Sequence, residues 1–427
     1  VAMGILVGAL LFLLLLSTPV AFSIALAAAT YLLQDGRFPV EILVQRSIAG
    51  VNSFPLLALP LFILVGYLME LGSTPRLMRL ANALLGPLPG GLAVANVGAS
   101  ALFGAVSGSG VATIAAIGGI MGPEMVRRGY PGGYSAALMA ASGGLGILIP
   151  PSVPMIIFGL VGGVSIGTLF LGSIIPGLIT AGLLAATAMF VAGRRGYGTR
   201  TTFRVGELGP ALLYALPPLF LPVLILGGIL GGFFTPTEAA AVGAVYAALL
   251  EGLVYRALTW ARLRKVLADT VITSSVILVI IATSAAFAWI VTINQVPATV
   301  GAWLGAISDS PLIIFLMIQF FFLILGVFME TTAIIIITTP IFLPIAISIG
   351  IDPVVYGVVL IINLIIGAMT PPLAVGIYTA TRIINVKPIE VNRYLLMFIV
   401  PLMASGLLHM LFPEITLFLP RLFEGPP

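Results

Sequence analysis

The stretch Gly143-Gly144-Leu145-Gly146-Ile147-Leu148-Ile149-Pro150-Pro151-Ser152 limits what this chain can fold into more than any other. It lies inside an apolar segment, residues 134–163, long enough to cross a bilayer, yet it cannot remain a regular helix. Two adjacent prolines remove two backbone donors, and the glycines ahead of them loosen the preceding turns. Carbonyls freed at membrane depth are tolerated only where protein or a water-lined cavity satisfies them. A second copy, Gly367-Ala368-Met369-Thr370-Pro371-Pro372, sits in the apolar segment 353–381. Broken spans at matching places in two halves of a chain point to the binding site of a transporter.

Composition agrees. Of 427 residues, 60% are hydrophobic and only 7% charged, which defines a polytopic membrane protein bathed in lipid. The absence of cysteine excludes disulfides, thiolate metal sites and cysteine catalysis. The single histidine, His409, reads as an interfacial residue near the outer end of the last span. The apolar start, with no basic n-region, reads as a membrane span and not as a cleaved signal. The net charge of +4 reflects membrane anchors and calls for no nucleic-acid partner.

In order, residues 3–16 and 19–33 form two apolar segments joined at Ser17-Thr18-Pro19, with Thr18 as N-cap. A polar loop runs from Gln34 to Asn52, followed by a span at 54–71 and a short amphipathic helix at 75–85. Residues 91–121, interrupted by Ser107-Gly108-Ser109-Gly110, have arms too short to cross and suit a re-entrant hairpin. The broken span 134–163, a span at 168–193 and a basic linker from Arg194 to Leu208 close the first half.

The second half repeats the order. Spans 215–232 and 236–255 are joined by a capping box, Thr235-Pro236-Thr237-Glu238. A basic amphipathic stretch, Arg256 to Lys265, precedes a span at 270–292 and a short helix after Pro297. Arms at 311–328 and 333–347 flank Met329-Glu330-Thr331-Thr332. The broken span 353–381, with Asp352 capping its start, and a last span at 389–412 finish the chain.

An offset of 221 places Pro150-Pro151 on Pro371-Pro372, Pro123 on Pro344, Gly129 on Gly350, Gly146 on Gly367 and Ser142 on Asn363. With both hairpins returning to their side of entry, every basic residue except Arg37, Arg46 and Arg421 falls on one side. That side is cytoplasmic by the positive-inside rule, so both termini are external and the repeats are inverted. The fold class expected is an all-α polytopic membrane protein of two inverted-topology repeats, each with a re-entrant hairpin and a broken transmembrane helix.

Hairpin tips present helix N-termini that attract anions, and unwound carbonyls with hydroxyls hold small cations. In the first half the candidates are Ser107, Gly108, Ser109 and Gly110 at the tip, with Ser142, Gly143, Gly146, Pro150 and Ser152 at the break. In the second they are Glu330, Thr331 and Thr332, with Asn363, Gly367, Thr370 and Pro371. Hard oxygen donors favour sodium or protons over transition metals. Each has a plainer reading: a flexible Ser-Gly turn, structural kinks at the prolines, a helix-terminal charge at Glu330, an interhelical hydrogen bond at Asn363. Gly108-Ser109-Gly110 also suggests an intramembrane serine protease, but that chemistry needs a histidine base and the only histidine is distant, so no enzyme is expected. The paired hairpins suit alternating access better than a channel.

The run Ser107-Gly108-Ser109-Gly110-Val111-Ala112-Thr113, then Gly122-Pro123-Glu124-Met125, Arg128-Gly129-Tyr130 and Ile149-Pro150-Pro151-Ser152, resembles the large membrane subunit (DctM-like) of tripartite ATP-independent periplasmic (TRAP) transporters. So do Met329-Glu330-Thr331 and Thr370-Pro371-Pro372, and the likeness covers essentially the whole chain. The resemblance implies import of organic anions, such as dicarboxylic or sialic acids, across the bacterial inner membrane, driven by sodium (Na+). It implies a periplasmic substrate-binding protein (DctP-like) and a small membrane subunit (DctQ-like), and no organic cofactor.

The fold implied is similar to that of elevator-type ion transporters. Residues 91–166 and 311–386 would form the transport domain, and 1–90, 167–310 and 387–427 the scaffold, linkers and external tail. Sodium is expected on the tip and break residues named above, from Ser107, Ser109, Gly110, Ser142, Gly143, Gly146 and Pro150 to Glu330, Thr332, Asn363, Gly367, Thr370 and Pro371. The anion is expected between the tips, near Ser107, Gly108, Pro151, Ser152, Thr331, Thr332 and Pro372. A stand-alone sodium–carboxylate symporter of similar fold is the alternative, and a membrane scaffold without its own pathway is a rival of another class.

Overall fold

All regular structure among the described residues is helical, as a backbone in hydrocarbon requires when no barrel closes it. The computed structural model describes residues 2–16, 18–198, 205–371 and 374–424. Ser17 and Pro372, named above, and Arg200 and Arg204 of the basic linker lie outside them.

The first half runs α1 (Ala2–Leu15), α2 (Val20–Asp35), α3 (Glu41–Val51), α4 (Ala58–Met69), α5 (Ser73–Leu85), α6 (Gly91–Ser107), α7 (Gly110–Arg127), α8 (Gly132–Gly143), α9 (Leu145–Leu148), α10 (Val153–Gly162) and α11 (Ile166–Arg195). The second runs α12 (Val205–Leu230), α13 (Pro236–Leu249), α14 (Trp260–Ile293), α15 (Val296–Ile307), α16 (Pro311–Phe328), α17 (Thr331–Ser348), α18 (Pro353–Ala368), α19 (Val375–Ile384), α20 (Asn392–Leu411) and α21 (Pro413–Glu424). Thus α6–α7 and α16–α17 are the hairpins, and α8–α10 and α18–α19 the broken spans. Gly132–Leu148 and Val153–Gly162 meet at 46°.

Several boundaries differ from the sequence reading, each for a tertiary reason. The polar loop 34–52 contains α3, which packs along α14 with Arg46 over the Trp289 ring at 5.0 Å. Adding 221 to 41–69 gives 262–290, inside α14, so the bent pair α3–α4 is the counterpart of one straight helix. The copies differ at Asn52-Ser53-Phe54-Pro55, where the first bends by 67°. The basic stretch 256–265 runs into α14 from Trp260 onward. Helix α2 begins at Val20, and no side chain caps it, so Thr18 is not its N-cap.

The end of the chain is also structured. Residues 413–424 form α21, which packs on α11 and α18. His409 is therefore not interfacial: it is fully buried, with Nδ1 3.3 Å from the Thr416 hydroxyl of α21. Two local expectations hold in detail. Thr235 and Glu238 make both bonds of the capping box, and the Asp352 carboxylate accepts from the Val354 N–H at 2.7 Å.

The two halves interlock crosswise. Helix α7 of the first hairpin packs on α19 of the second broken span, and α17 of the second hairpin packs on α10 of the first. Helices α11 and α20 join this body, touching α6, α8, α10 and α18, although sequence order had grouped them with the flanking scaffold. Around it, α2, α3 and α4 assemble with α14, α13 packs on α4 and α12, and α5 lies along α6 and α12.

Candidate functional site

Each hairpin crosses its own broken helix at a pair of glycines. A Cβ on Gly104 of α6 would lie 2.8 Å from the Gly146 Cα, and one on Gly326 of α16 would lie 2.8 Å from the Gly367 Cα. Backbones meeting this closely, with no side chain between, bring the hairpin tips onto the helix breaks. At the first tip Gly108 has φ +65°, a region open to glycine, and a Cβ there would sit 2.7 Å from the Pro151 carbonyl oxygen. The Val153 N–H, just beyond the break, donates to the Gly108 carbonyl at 3.1 Å. Tip and break are thereby strapped together.

Oxygens concentrate at this junction. The Ser107 and Thr113 hydroxyls are 3.3 Å apart, Thr113 donates to the Ser109 carbonyl at 2.7 Å, and Ser109 caps α7 by accepting from the Ala112 N–H at 3.4 Å. At the second tip Glu330 caps α17. Its carboxylate accepts from the Thr332 N–H (2.8 Å), the Thr332 hydroxyl (3.0 Å) and the Ala333 N–H (3.3 Å). The chain's own anion thus occupies the positive end of α17. Of the two helix N-termini expected to attract an anion, only that of α7, with its neutral cap, remains open to one.

A cavity of about 580 Å³ lies between these tips. The first tip supplies Ser107, Gly108, Ser109 and Gly110, and the second supplies Glu330, Thr331 and Thr332. The remaining nominated residues sit behind that surface. Ser142 is fully buried and accepts from Asn96 Nδ2 at 2.9 Å and from the Ser100 hydroxyl at 3.3 Å. Its counterpart Asn363 donates to Gln319, so each break helix is tied to its hairpin arm by a mirrored polar pair. Ser152 is fully buried, donating to the Ile147 carbonyl at 2.6 Å and capping α10. The Thr370 hydroxyl donates to the Ile366 carbonyl at 2.8 Å. Gly143, Gly146, Pro150, Pro151, Gly367 and Pro371 form the breaks and crossings without lining the cavity.

The opposite wall was not singled out from the sequence. It is built by Ile63, Gly66, Tyr67 and Glu70 of the α4 stretch and Thr273 and Ile277 of α14. The Tyr67 and Thr273 hydroxyls hydrogen-bond at 2.9 Å, and a Cβ on Gly66 would lie 2.7 Å from the Ser107 carbonyl oxygen. Only the high polarity of Glu70 in an apolar run could have drawn attention to this face.

A cavity lined by two helical hairpin tips and two broken helices, and walled by α4 and α14, is the arrangement of a membrane transporter. The chain belongs to the family described as "Tripartite ATP-independent periplasmic transporter, DctM component", whose model matches residues 7–415. Its relatives are permease subunits, not enzymes. The sialic acid TRAP transporter large permease SiaM of Vibrio cholerae is 38% identical over 95% of this chain and 96% of its own length. The ectoine TRAP transporter large permease TeaC of Halomonas elongata is 36% identical over 97% and 98%. The crystal structure of the Alcanivorax borkumensis YdaH transporter shares the fold, with a TM-score of 0.62 at 15% identity over 86% of each chain.

Proposed function

We propose that this large permease drives uptake of an organic acid with a sodium gradient. It would receive its cargo from a periplasmic binding protein and work beside a small membrane subunit. The observation that carries the reading is the cavity lined by both capped tips, with Ser107 and Ser109 from the first and Glu330 and Thr332 from the second, and the Thr113 hydroxyl behind Ser107. Such hard donors suit sodium as a co-transported cargo ion. Sodium beside Ser107–Gly110 would offset the charge of an anion lying at the α7 N-terminus. The relatives named for sialic acid and ectoine support a small organic acid as the cargo.

The moving body in this reading is the interlocked set α6–α11 with α16–α21, and α1–α5 with α12–α14 form the fixed frame. This reading takes α11 and α20 together with 91–166 and 311–386, supported by their packing on α6, α8, α10 and α18. The close approach of Gly66 to the Ser107 carbonyl lies on the sliding surface between the two. In this reading Arg76, Arg79, Arg127 and Arg128 lie at the cytoplasmic face and both termini in the periplasm, which the one-sided distribution of basic residues supports. Coupling follows if the loaded body crosses readily and the partly loaded one does not.

Uptake of labelled organic acids into proteoliposomes tests this, with the large and small subunits present and sodium gradient and binding protein varied independently. Uptake that requires both supports the proposal. Uptake on sodium alone assigns the chain to the stand-alone carriers, and uptake indifferent to sodium overturns the coupling.

A further inference from the structure

The cavity contains two carboxylates and no basic side chain among its described lining residues. One, Glu330, is committed to three hydrogen bonds at the start of α17. The other, Glu70, is half-buried on the scaffold wall, and its carboxylate has no hydrogen-bond or ion-pair partner among the described residues. The charged groups that face it come from α14: Lys265, which is exposed, and Asp269. One turn earlier on the same face, Tyr67 and Thr273 present hydroxyls to the cavity.

We propose that Glu70 receives a positively charged nitrogen of the cargo, so that this permease carries a zwitterionic organic acid in preference to a dianion. The cavity has two unlike ends. The first tip offers the open N-terminus of α7 with Ser107 and Gly108, an environment for a carboxylate. About one helical turn away, set by the approach of Gly66 to Ser107, Glu70 with Tyr67 and Thr273 offers acceptors for an ammonium or amidinium. A dianion would place its second negative charge against Glu70, a repulsion that a protein uses to reject a competitor. Glu70 is thus a specificity-determining residue on the scaffold, met when the cavity stands against α4.

This inference rests on the carrier reading above, and its test separates the two. The purified complex of large and small subunits is titrated in sodium with two zwitterions, ectoine and γ-aminobutyrate, and two anions, succinate and isethionate. Wild type, Glu70→Gln, Glu70→Asp and Gly108→Val are compared. At least one zwitterion is expected to bind, to lose about tenfold in affinity in Glu70→Gln, the scale of one charge-assisted contact, and to keep most of it in Glu70→Asp. The anions are expected to bind as well or better in Glu70→Gln. Failure of both zwitterions to bind, or binding unchanged in Glu70→Gln, overturns the assignment. Gly108→Val distorts the tip against Pro151. Loss of all probes there, with Glu70→Gln silent, sinks the charge assignment alone, whereas full binding in Gly108→Val sinks the cavity as the cargo site.

Discussion

Ser109 and Glu330 hold equivalent places in the two repeats, 330 − 109 = 221 residues apart, each capping the second arm of its hairpin. Ser109 is neutral and holds one N–H loosely, and Glu330 is a carboxylate holding three donors. A symmetric backbone therefore carries an asymmetric charge, and the two tips are not interchangeable ends of one site.

The capping bonds make Glu330 a structural as well as an electrostatic residue. Glu330→Ala should cost about 1–2 kcal/mol, read as a lower melting temperature, and should remove most sodium-stimulated uptake. Glu330→Gln should melt close to wild type and need more sodium for half-maximal uptake. Wild-type melting in the alanine variant would contradict the capping role.

Ser109→Ala and Thr370→Ala should weaken sodium dependence more than they lower expression, since each removes a hydroxyl where a tip meets a break. The check is the sodium concentration for half-maximal uptake in proteoliposomes. Unchanged values in both variants would remove these residues from the sodium sites.

Glycine-to-alanine changes should sort by what a Cβ would touch. Gly326→Ala presses on the Gly367 backbone, which has no flexible end to yield, and should destabilise by about 1–3 kcal/mol. Gly119→Ala, a helical position with nothing within 4 Å, should melt at or slightly above the wild-type temperature. Equal melting temperatures for the two variants would show that the hairpin crossing tolerates expansion.

The Thr235–Glu238 capping box does not line the cavity and sits at the turn between α12 and α13. Thr235→Ala should lower stability by about 1 kcal/mol and leave the sodium dependence of uptake unaltered. A shift in sodium affinity would tie this turn to the coupling.

The helical breaks and hairpins were legible because glycine and proline act locally, and the offset of 221 repeats them in order. Helix α3 was not, because Glu41, Gln45 and Arg46 look like a loop until Trp289, far along the chain, supplies a partner. His409 was placed at the surface because nothing in the sequence shows that α21 folds back over it. The same limit hid Glu70, Tyr67 and Thr273. A wall assembled from two distant helices leaves no spacing to read. Ser142 and Asn363 were expected as sodium ligands and Ser152 as an anion ligand, and their hydroxyl and amide groups are engaged by buried neighbours that only packing reveals.

The absence of native cysteine allows the most direct measurement of the carrier claim: labelling of single cysteines placed at Val111 and Val375, exposed cavity-wall positions from the two halves. A membrane-impermeant maleimide is applied from each side of oriented proteoliposomes, with and without sodium and bound cargo. The carrier reading requires both positions to react, to be slowed by sodium plus cargo, and to change the side from which they are reached during transport. Labelling from one fixed side, at rates unmoved by sodium and cargo, would contradict it.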